Sequence, residues 1–315
     1  MLSFLFASML NSVLGLSVSG ISSGGFFAVQ FHVAFSSEVS GVGVIAGGPY
    51  YCSQGLITVS TTACMISPEL INMDLIFSKT DTFASKNLID ATSNLQTSKV
   101  WLFSGTLDSV VHQGVVKDTQ AFYEHYTTKG NITTKFNIPA EHSWVTDGFG
   151  NLCAYLGSPF INNCLIDAAG IMLETFLGPL KPRVDAVDAH FHIFDQGPYG
   201  DILFAGMLGF GYVYVPLYCE KNRCNVHVSF HGCLQSAELI GDIFAKHNGI
   251  NAWAEGNNIV VIYPQILSVL DNPQGCWDFW GYSGIDFAYK TGRQMKIVHN
   301  MVQNVPYVNW GNIYD

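Results

Sequence analysis

The segment Gly20-Ile21-Ser22-Ser23-Gly24 could place a serine hydroxyl where it acts as a nucleophile. A short apolar run precedes it, and an apolar, helix-compatible stretch, Phe26–Phe35, follows. Strand, G-x-S-x-G and helix in this order are typical of a nucleophile elbow, whose sharp turn lifts the serine hydroxyl clear of the sheet. The frame selects Ser22 over Ser23, because Ile21 rather than a glycine stands two residues before Ser23. The same pattern also fits an ordinary Gly/Ser turn, so the assignment depends on the strand and helix that flank it.

A serine nucleophile needs a histidine base that an acid holds in place. In α/β-hydrolases the chain order is serine, acid, histidine, and each lies in a loop after a strand. Asp108 and His142 stand where this order predicts. His112 lies in the loop of the acid and is the main rival base. The competing acids are Asp118, on a predicted helix, and Asp147, which comes after the histidine.

Two backbone N–H groups are needed to bind the oxyanion of a tetrahedral intermediate. One is expected from Ser23, directly after the nucleophile. The other usually comes from an HG-type loop after an earlier strand, but only 21 residues precede Ser22. Such a loop, His231-Gly232-Cys233, follows the predicted strand Val226–Phe230 instead. The sequence therefore predicts a circular permutation, although a plain turn at the end of the strand is the competing interpretation.

The hydrophobic pattern predicts the elements that position these residues. Buried strands bounded by Gly or Pro alternate with helix-compatible segments, which indicates an α/β fold with a mainly parallel central sheet flanked by helices. No repeat or low-complexity linker divides the chain, so one hydrolase domain is expected over residues 1–315. The predicted strands are Leu14–Ser19, Gly41–Ala46, Lys99–Phe103, Thr133–Ile138, Ala189–Phe194, Tyr212–Val215, Val226–Phe230 and Ile259–Tyr263. The predicted helices are Phe26–Phe35, Val115–Lys129, Leu165–Phe176, Ala237–Glu255 and Gln294–Val305.

The eight cysteines are an even set without a C-x-x-C pair, which disfavours a zinc ribbon. Three of the four successive pairs are close in sequence, which fits disulfide bonds that close local loops in an oxidising compartment. Eight reduced thiols in the cytosol are the alternative, and spacing alone leaves the connectivity open. A glycosylation sequon at Asn131 points to the oxidising compartment. The successive pairs are Cys52 with Cys64, Cys153 with Cys164, Cys219 with Cys224, and Cys233 with Cys276.

Charge and hydropathy exclude some classes of protein. A net charge of -10 gives no electrostatic reason to bind nucleic acid, and the apolar runs are too short or interrupted to form a transmembrane segment. The apolar stretch Met1 to Leu10 resembles the core of a signal peptide but has no basic residue before it. Cleavage at the usual distance would cut into the predicted strand Leu14–Ser19, so either the true start lies upstream or the segment is not removed. Residues 1–12 are interpreted as a signal or leader remnant, and the true N-terminus stays open.

Four motifs together resemble one family, the extracellular poly(3-hydroxybutyrate) depolymerases of the fungal, single-domain, circularly permuted type. The resemblance extends from about Asn11 to the C-terminal helix. The motifs are Ser17-Val-Ser-Gly-Ile-Ser-Ser-Gly-Gly25, Ala46-Gly-Gly-Pro-Tyr50, His231-Gly-Cys-Leu-Gln-Ser236 and Gly275-Cys-Trp-Asp278.

The resemblance implies an extracellular serine esterase. We also expect a secreted or lumenal monomer that needs no cofactor or metal. It implies a Ser22, Asp108 and His142 triad, oxyanion donors at Ser23 and Cys233, disulfide-bonded cysteines, and Trp277 beside the substrate. Two departures affect the expected crevice. Ser143-Trp144-Val145 follows the histidine where the family tends to have a proline, and residues 197–212 are unlike the family pattern.

Two other functions stay open on the sequence: an esterase or lipase for acyl esters of sugars or lipids, and a non-catalytic binder of polymer or lipid on a hydrolase scaffold. The alternation His190-Phe191-His192 resembles a metal site but offers only two ligands on a strand. We therefore expect no metal there.

Overall fold

The computed structural model describes residues 14–308, and its centre is an eight-stranded sheet. Its order is β4-β3-β2-β1-β10-β11-β9-β8. Every neighbouring pair is parallel except the pairs that β9 makes with β11 and β8. The strands are β1 (Leu16–Ile21), β2 (Val39–Ile45), β3 (Lys99–Phe103), β4 (Ile132–Lys135), β8 (Phe191–Asp195), β9 (Phe210–Tyr214), β10 (Asn225–Phe230) and β11 (Ile259–Tyr263).

The middle of the sheet joins the two halves of the chain. Strand β1 pairs in parallel with β2 on one side and with β10 on the other. Its register with β10 runs from Leu16 opposite Val226 to Gly20 opposite Phe230. The carboxyl ends of β1 and β10 therefore meet at the same edge of the sheet, as the predicted permutation requires.

Helices cover both faces of the sheet. The helix after β1, α1, is apolar on all sides, and each of its twelve residues is buried. Among the described residues, no helix combines the length and apolar character needed to cross a bilayer. The helices are α1 (Ser23–Ala34), α2 (Ile57–Thr61), α3 (Met73–Ser85), α4 (Gln113–Tyr126), α5 (Ala168–Leu177), α6 (Ala237–Ile240), α7 (Ile243–His247), α8 (Ile250–Asn257) and α9 (Arg293–Asn304).

Two local predictions differ from the structure, and one small sheet was not predicted. The single helix expected over Ala237–Glu255 is three short helices, because Gly241 and Gly249 adopt positive φ angles of 63° and 87° that interrupt it. The strand expected to reach Ile138 ends at Lys135. A small second sheet in the order β5-β7-β6 was not predicted; its strands are β5 (Trp144–Thr146), β6 (Asn151–Leu152) and β7 (Ile161–Asn163).

The eight cysteines form four disulfides, and no cysteine of the described chain is free. Three of these bonds close short loops of 12, 11 and 5 residues. The fourth spans 43 residues and joins the loop after β10 to the segment before α9. The connectivity that spacing left open is therefore the successive one. Cys52 is bonded to Cys64, Cys153 to Cys164, Cys219 to Cys224, and Cys233 to Cys276.

Residues 1–12, which the sequence analysis interprets as a signal or leader remnant, lie outside the described residues.

Candidate active site

Ser22 lies in a strained turn between β1 and α1. Its φ and ψ are 55° and -125°, a region that residues with a side chain rarely adopt. The turn is held by two hydrogen bonds, from Ser22 N to the Ile45 carbonyl at 2.9 Å and from Phe26 N to the Ser22 carbonyl at 3.0 Å. A Cβ at Gly20 would collide with the Gly24 carbonyl and stand 2.8 Å from Gly25 N. The local backbone is therefore an elbow that only this glycine pattern permits.

Asp108 and His142 form a hydrogen-bonded acid and base pair. His142 Nδ1 lies 2.9 Å from one carboxylate oxygen of Asp108 and 3.1 Å from the other. The carboxylate also accepts bonds from Val110 N at 3.0 Å and Val111 N at 2.8 Å, and its side chain is only 2% exposed. These bonds fix the imidazole so that its Nε2 is the ring nitrogen left for a reaction partner.

Glu141 supports this pair and was not predicted from the sequence. One of its carboxylate oxygens accepts bonds from the His142 N–H at 2.6 Å and from the Ser109 N–H at 3.2 Å. It thereby ties the loop of the acid to the loop of the base. Its place directly before His142 in the chain is the one signal that could have pointed to it.

The rival residues lie elsewhere. His112 caps helix α4, where its Nδ1 accepts the Gly114 N–H at 3.1 Å. Asp147 forms an ion pair with Arg183 at 2.7 Å. Asp118 lies within α4, and burial raises the pKa of its carboxyl to about 6. In the described chain none of the three side chains has a hydrogen bond to Asp108 or His142.

The structure brings the HG-type loop against the elbow. A Cβ at Gly232 would stand 3.3 Å from the Cβ of Ser22 and 3.3 Å from the Ile21 carbonyl oxygen. The backbone N–H groups of Ser23 and Cys233 donate to no acceptor within residues 14–308. Two unpaired donors beside the serine are the arrangement that an oxyanion site requires.

Ser22, His142 and Cys233 line one cleft of about 360 Å³. Its walls are mainly apolar, and within the described residues no hydrogen bond joins the Ser22 and His142 side chains. A second cavity of about 230 Å³ shares the lining residues Met65, Cys233 and Gln274 with the first and is also lined by Trp280. The further residues that line the first cleft are Ile21, Met65, Val110, Leu156, Gly157, Phe160, Gly232, Leu234, Gln235 and Gln274.

Only one of the four disulfides borders these spaces. Cys233 lines both of them, and its partner Cys276 lines the second. The six cysteines of the three short loops line neither cavity, so their disulfides stabilise the fold and do not form part of the site. They are Cys52, Cys64, Cys153, Cys164, Cys219 and Cys224.

The expectation that Trp277 contacts substrate is wrong in this structure. Its side chain has no exposed surface, because it packs in the core against Phe27 and Phe230 with ring centroids 4.5 and 4.9 Å away. Its backbone N–H donates to Ser23 Oγ at 3.2 Å. Trp280, three residues later, does line a cavity, although the sequence pattern did not predict it.

A buried carboxylate organises the turn that carries Trp280. Asp278 accepts hydrogen bonds from four consecutive backbone N–H groups, those of residues 280–283, and from the hydroxyl of Ser283. Burial raises the pKa of Asp278, and these bonds oppose that rise. The position of Trp280 is therefore set by a polar centre beneath it.

Other histidines serve the fold. His190 of the alternating pair is bound to Glu255 at 2.9 Å. Three more histidines, His32, His227 and His231, are completely buried. The His32 ring forms hydrogen bonds with Tyr123 and Ser98, and the His227 ring with Ser17 and Ser19 of β1. Burial lowers the pKa of His32 and of His227 to about 3, and that of His231 to about 4. All three are neutral at pH 7.

Comparison with known proteins identifies the family. No family model matches the chain. It is 43% identical over 92% of its length to the poly(3-hydroxybutyrate) depolymerase of Delftia acidovorans, and it spans 59% of that protein. It is 34% identical over 94% of its length to the polyhydroxybutyrate depolymerase of Talaromyces funiculosus and covers 89% of that protein. The chain belongs to the polyhydroxybutyrate depolymerase family. The resemblance seen in the motifs is thereby confirmed.

Solved structures confirm the fold of this depolymerase family member. The crystal structure of PHB depolymerase from Penicillium funiculosum matches with a TM-score of 0.84 at 32% identity, covering 93% of this chain and 96% of that one. A PHB depolymerase in which a serine is replaced by alanine, complexed with an R3HB trimer, matches with the same score and covers 95% of this chain. The α/β-hydrolase architecture predicted from the sequence is correct.

Proposed function

We propose that this chain is a serine esterase that hydrolyses poly(3-hydroxybutyrate) or short hydroxyalkanoate esters through an acyl-enzyme on Ser22. The observation that carries the proposal is the convergence of an elbow serine, the Asp108-held His142 and two unpaired N–H donors at one cleft. Relatives named as depolymerases of this polymer, and the related enzyme bound to an R3HB trimer, support the substrate class.

In the first step the Ser22 hydroxyl attacks an ester carbonyl while His142 Nε2 takes its proton. Asp108 accepts the Nδ1–H bond, keeps the imidazole in the required tautomer and stabilises the imidazolium. The hydrogen bond between Ser22 and His142 forms when substrate is bound, as is common for catalytic hydrogen bonds that are long without substrate. His142 then gives the proton to the departing alkoxide, and the alcohol leaves.

The carbonyl oxygen becomes an oxyanion during the attack. The N–H groups of Ser23 and Cys233 donate to it, and the N-terminal end of α1 adds a favourable dipole. In the second step His142 removes a proton from water, the water attacks the acyl carbon, and the acid is released from Ser22. Each proton taken by His142 is returned, so the enzyme is regenerated without a cofactor.

The cleft fits an uncharged polyester. Apolar side chains such as Met65, Val110 and Leu156 face the space around Ser22, and no Lys or Arg of the described residues lines it. A chain that extends past Cys233 reaches the second cavity, where Trp280 offers a flat apolar surface. Apolar walls with a few polar groups at the reacting bond match a polymer of repeated ester and methyl groups.

The proposal is tested by comparing Ser22→Ala with Ser23→Ala on hydroxybutyrate oligomers, p-nitrophenyl esters and triglycerides. We expect Ser22→Ala to abolish hydrolysis and labelling by a fluorophosphonate while the fold is retained. Ser23→Ala keeps its backbone N–H and should retain most activity. Substantial activity in Ser22→Ala would refute the nucleophile, and a preference for triglycerides would refute the substrate class.

We also propose that residues 1–315 act as one catalytic domain, and that the protein is secreted or lumenal and monomeric. Four disulfides support an oxidising compartment, since such bonds persist there and are rare in the cytosol. Sedimentation of the purified protein tests the monomer. Mass mapping without reduction tests the disulfides, and free thiols at Cys52 and Cys64 would contradict secretion.

A further inference from the structure

Gln235 is a buried glutamine at the cleft, and every polar atom of its amide is bonded to backbone. Its Oε1 accepts the Gly232 N–H at 2.7 Å, and its Nε2 donates to the carbonyls of Pro159 at 2.9 Å and Phe160 at 3.1 Å. The side chain is 1% exposed. One amide therefore connects the loop after β10 to the Pro159–Phe160 segment, 75 residues away, where Phe160 forms part of the cleft wall.

The same loop aims the Cys233 N–H. The Gly232 carbonyl accepts two bonds, from His231 Nδ1 at 2.8 Å and from the Gln235 backbone N–H at 3.3 Å. His231 is neutral, because burial lowers its pKa to about 4, and its Nε2 accepts the Ile266 N–H at 3.3 Å, so Nδ1 carries the proton. A trans peptide is planar, with its C=O and N–H pointing in opposite directions. Anchoring the Gly232 carbonyl thus turns the Cys233 N–H away from it.

We propose that Gln235 is a positioning residue that fixes the oxyanion donor Cys233 N–H and locks it to the Pro159–Phe160 wall of the cleft. This inference rests on the proposed esterase function. The Gln235 side chain holds the Gly232 N–H, which belongs to the peptide unit before the donor. The Gln235 backbone N–H holds the Gly232 carbonyl, which belongs to the same peptide unit as the Cys233 N–H. It does not touch the reacting atoms, so its effect on catalysis passes through Cys233.

The loop would not keep this shape by itself. Leu234, between the donor and Gln235, has a φ of 62°, a left-handed conformation that is unfavourable for a leucine. The Leu234 N–H is bound to the Gln274 carbonyl at 2.8 Å, which holds one side of the turn. Without the Gln235 amide, the Gly232 N–H and the Pro159 carbonyl lose their partner, whereas the Phe160 carbonyl keeps the Trp144 N–H at 2.9 Å. Because unpaired buried polar groups are costly, the loop and the wall would rearrange to satisfy them.

The test compares Gln235→Leu with Gln196→Leu. Gln196 is an equally buried glutamine whose amide also makes three bonds to backbone, to the Leu208 carbonyl and to the carbonyl and N–H of Gln265, but it does not line the cleft. Both variants lose comparable buried bonds, so the pair separates lost stability from lost positioning. Kinetics on p-nitrophenyl butyrate are measured with the folded enzyme counted by active-site titration.

For Gln235→Leu we expect kcat to fall by about 10- to 100-fold with KM changed by less than about threefold, since an oxyanion donor moved out of place costs part of the ~100- to 1,000-fold seen when one is removed. A boronic acid that forms a tetrahedral adduct should bind more weakly by a similar factor. Gln196→Leu should keep kcat within about twofold. Equal kcat in the two variants would overturn the inference.

A second pair covers the case in which Gln235→Leu does not fold. Gln235→Glu can still accept the Gly232 N–H, but its carboxylate cannot donate to the Pro159 and Phe160 carbonyls. We expect its kcat to fall relative to Gln196→Glu, and an unchanged kcat would again overturn the inference. If Ser22→Ala stays active, the esterase proposal itself fails. If Ser22→Ala is inactive while the Gln235 variants match their controls, only the role of Gln235 fails.

Discussion

Gly24 of the nucleophile helix lies directly against Phe230 at the end of β10. A Cβ at Gly24 would stand 2.5 Å from the Phe230 carbonyl oxygen and 2.8 Å from its carbonyl carbon, and would also collide with the carbonyl oxygen of His231. The obstacles are backbone atoms of a central strand and cannot rotate away. The second glycine of the elbow motif therefore allows the turn after β1 to lie against the end of β10, about 200 residues later.

Gly24→Ala should lower both stability and activity. The added methyl group would push β10 and the His231 loop away from the elbow, and overpacking of this kind costs about 1–3 kcal/mol. Gly130→Ala is the control, because a Cβ there meets nothing within 4 Å. Urea unfolding and kcat are measured for both variants. A Gly24→Ala variant as stable and active as Gly130→Ala would contradict the close approach.

Asp108→Asn should remove most activity while the fold is kept. The amide can still accept the Val110 and Val111 N–H bonds, but it no longer stabilises an imidazolium at His142 and favours the wrong tautomer. We expect kcat to fall by about 100- to 10,000-fold. Asp147→Asn breaks only a partly exposed ion pair with Arg183 and should stay within about twofold of the parent. Similar kinetics in the two variants would mean that another acid serves the base.

The two tryptophans of the 277–280 segment should differ in what they control. Trp280→Ala removes a half-buried ring from the second cavity, so we expect KM for hydroxybutyrate oligomers to rise about tenfold, which corresponds to about 1.4 kcal/mol. Trp277→Ala empties a fully buried site and should cost about 3–5 kcal/mol of stability. The measurements are oligomer kinetics and urea unfolding. Loss of oligomer binding in a stable Trp277→Ala variant would restore the original expectation for Trp277.

Three buried histidines should make the protein less stable as the pH falls below about 6.5. Burial lowers the pKa of His32 and of His227 to about 3 and that of His231 to about 4, from 6.5 in the unfolded chain. Over that window the unfolded chain binds protons that the folded chain does not, so stability is full above pH 6.5 and is lost toward pH 4 and 3. Between pH 7.5 and 5 we expect a loss of at most about 2 kcal/mol per histidine. Urea midpoints that are equal at the two pH values would contradict this.

Much of the fold was predictable because its signals are local. Short apolar strands, Gly and Pro at their ends and the order of serine, acid and histidine are all visible in the chain. The permutation was also predictable, because the HG-type loop His231-Gly232-Cys233 follows a predicted strand far downstream of Ser22. The permutation requires the strand before this loop to lie beside the strand before the elbow, and the pairing of β10 with β1 meets this requirement.

The missed features depend on contacts between distant segments. Trp277 and Trp280 both stand in an aromatic run, and only the packing of Phe27 and Phe230 decides which one is buried. The bonds of Gln235 to Pro159 and Phe160 have no sequence pattern. The break at Gly249 could have been recognised, since glycine interrupts helices, but apolar spacing on either side concealed it.

The pairing of β1 with β10 also constrains when the chain can become active during synthesis. Ser22, Asp108 and His142 all leave the ribosome before residue 225, whereas one flank of β1 and the Cys233 N–H are supplied only afterwards. Contacts this far apart in sequence form late and slowly. A nascent or prematurely terminated chain that already carries all three candidate triad residues would therefore be an incomplete catalyst whose central strand is paired on one side only. Activity is therefore deferred until the segment from β10 to Cys233 has been translated and has joined β1.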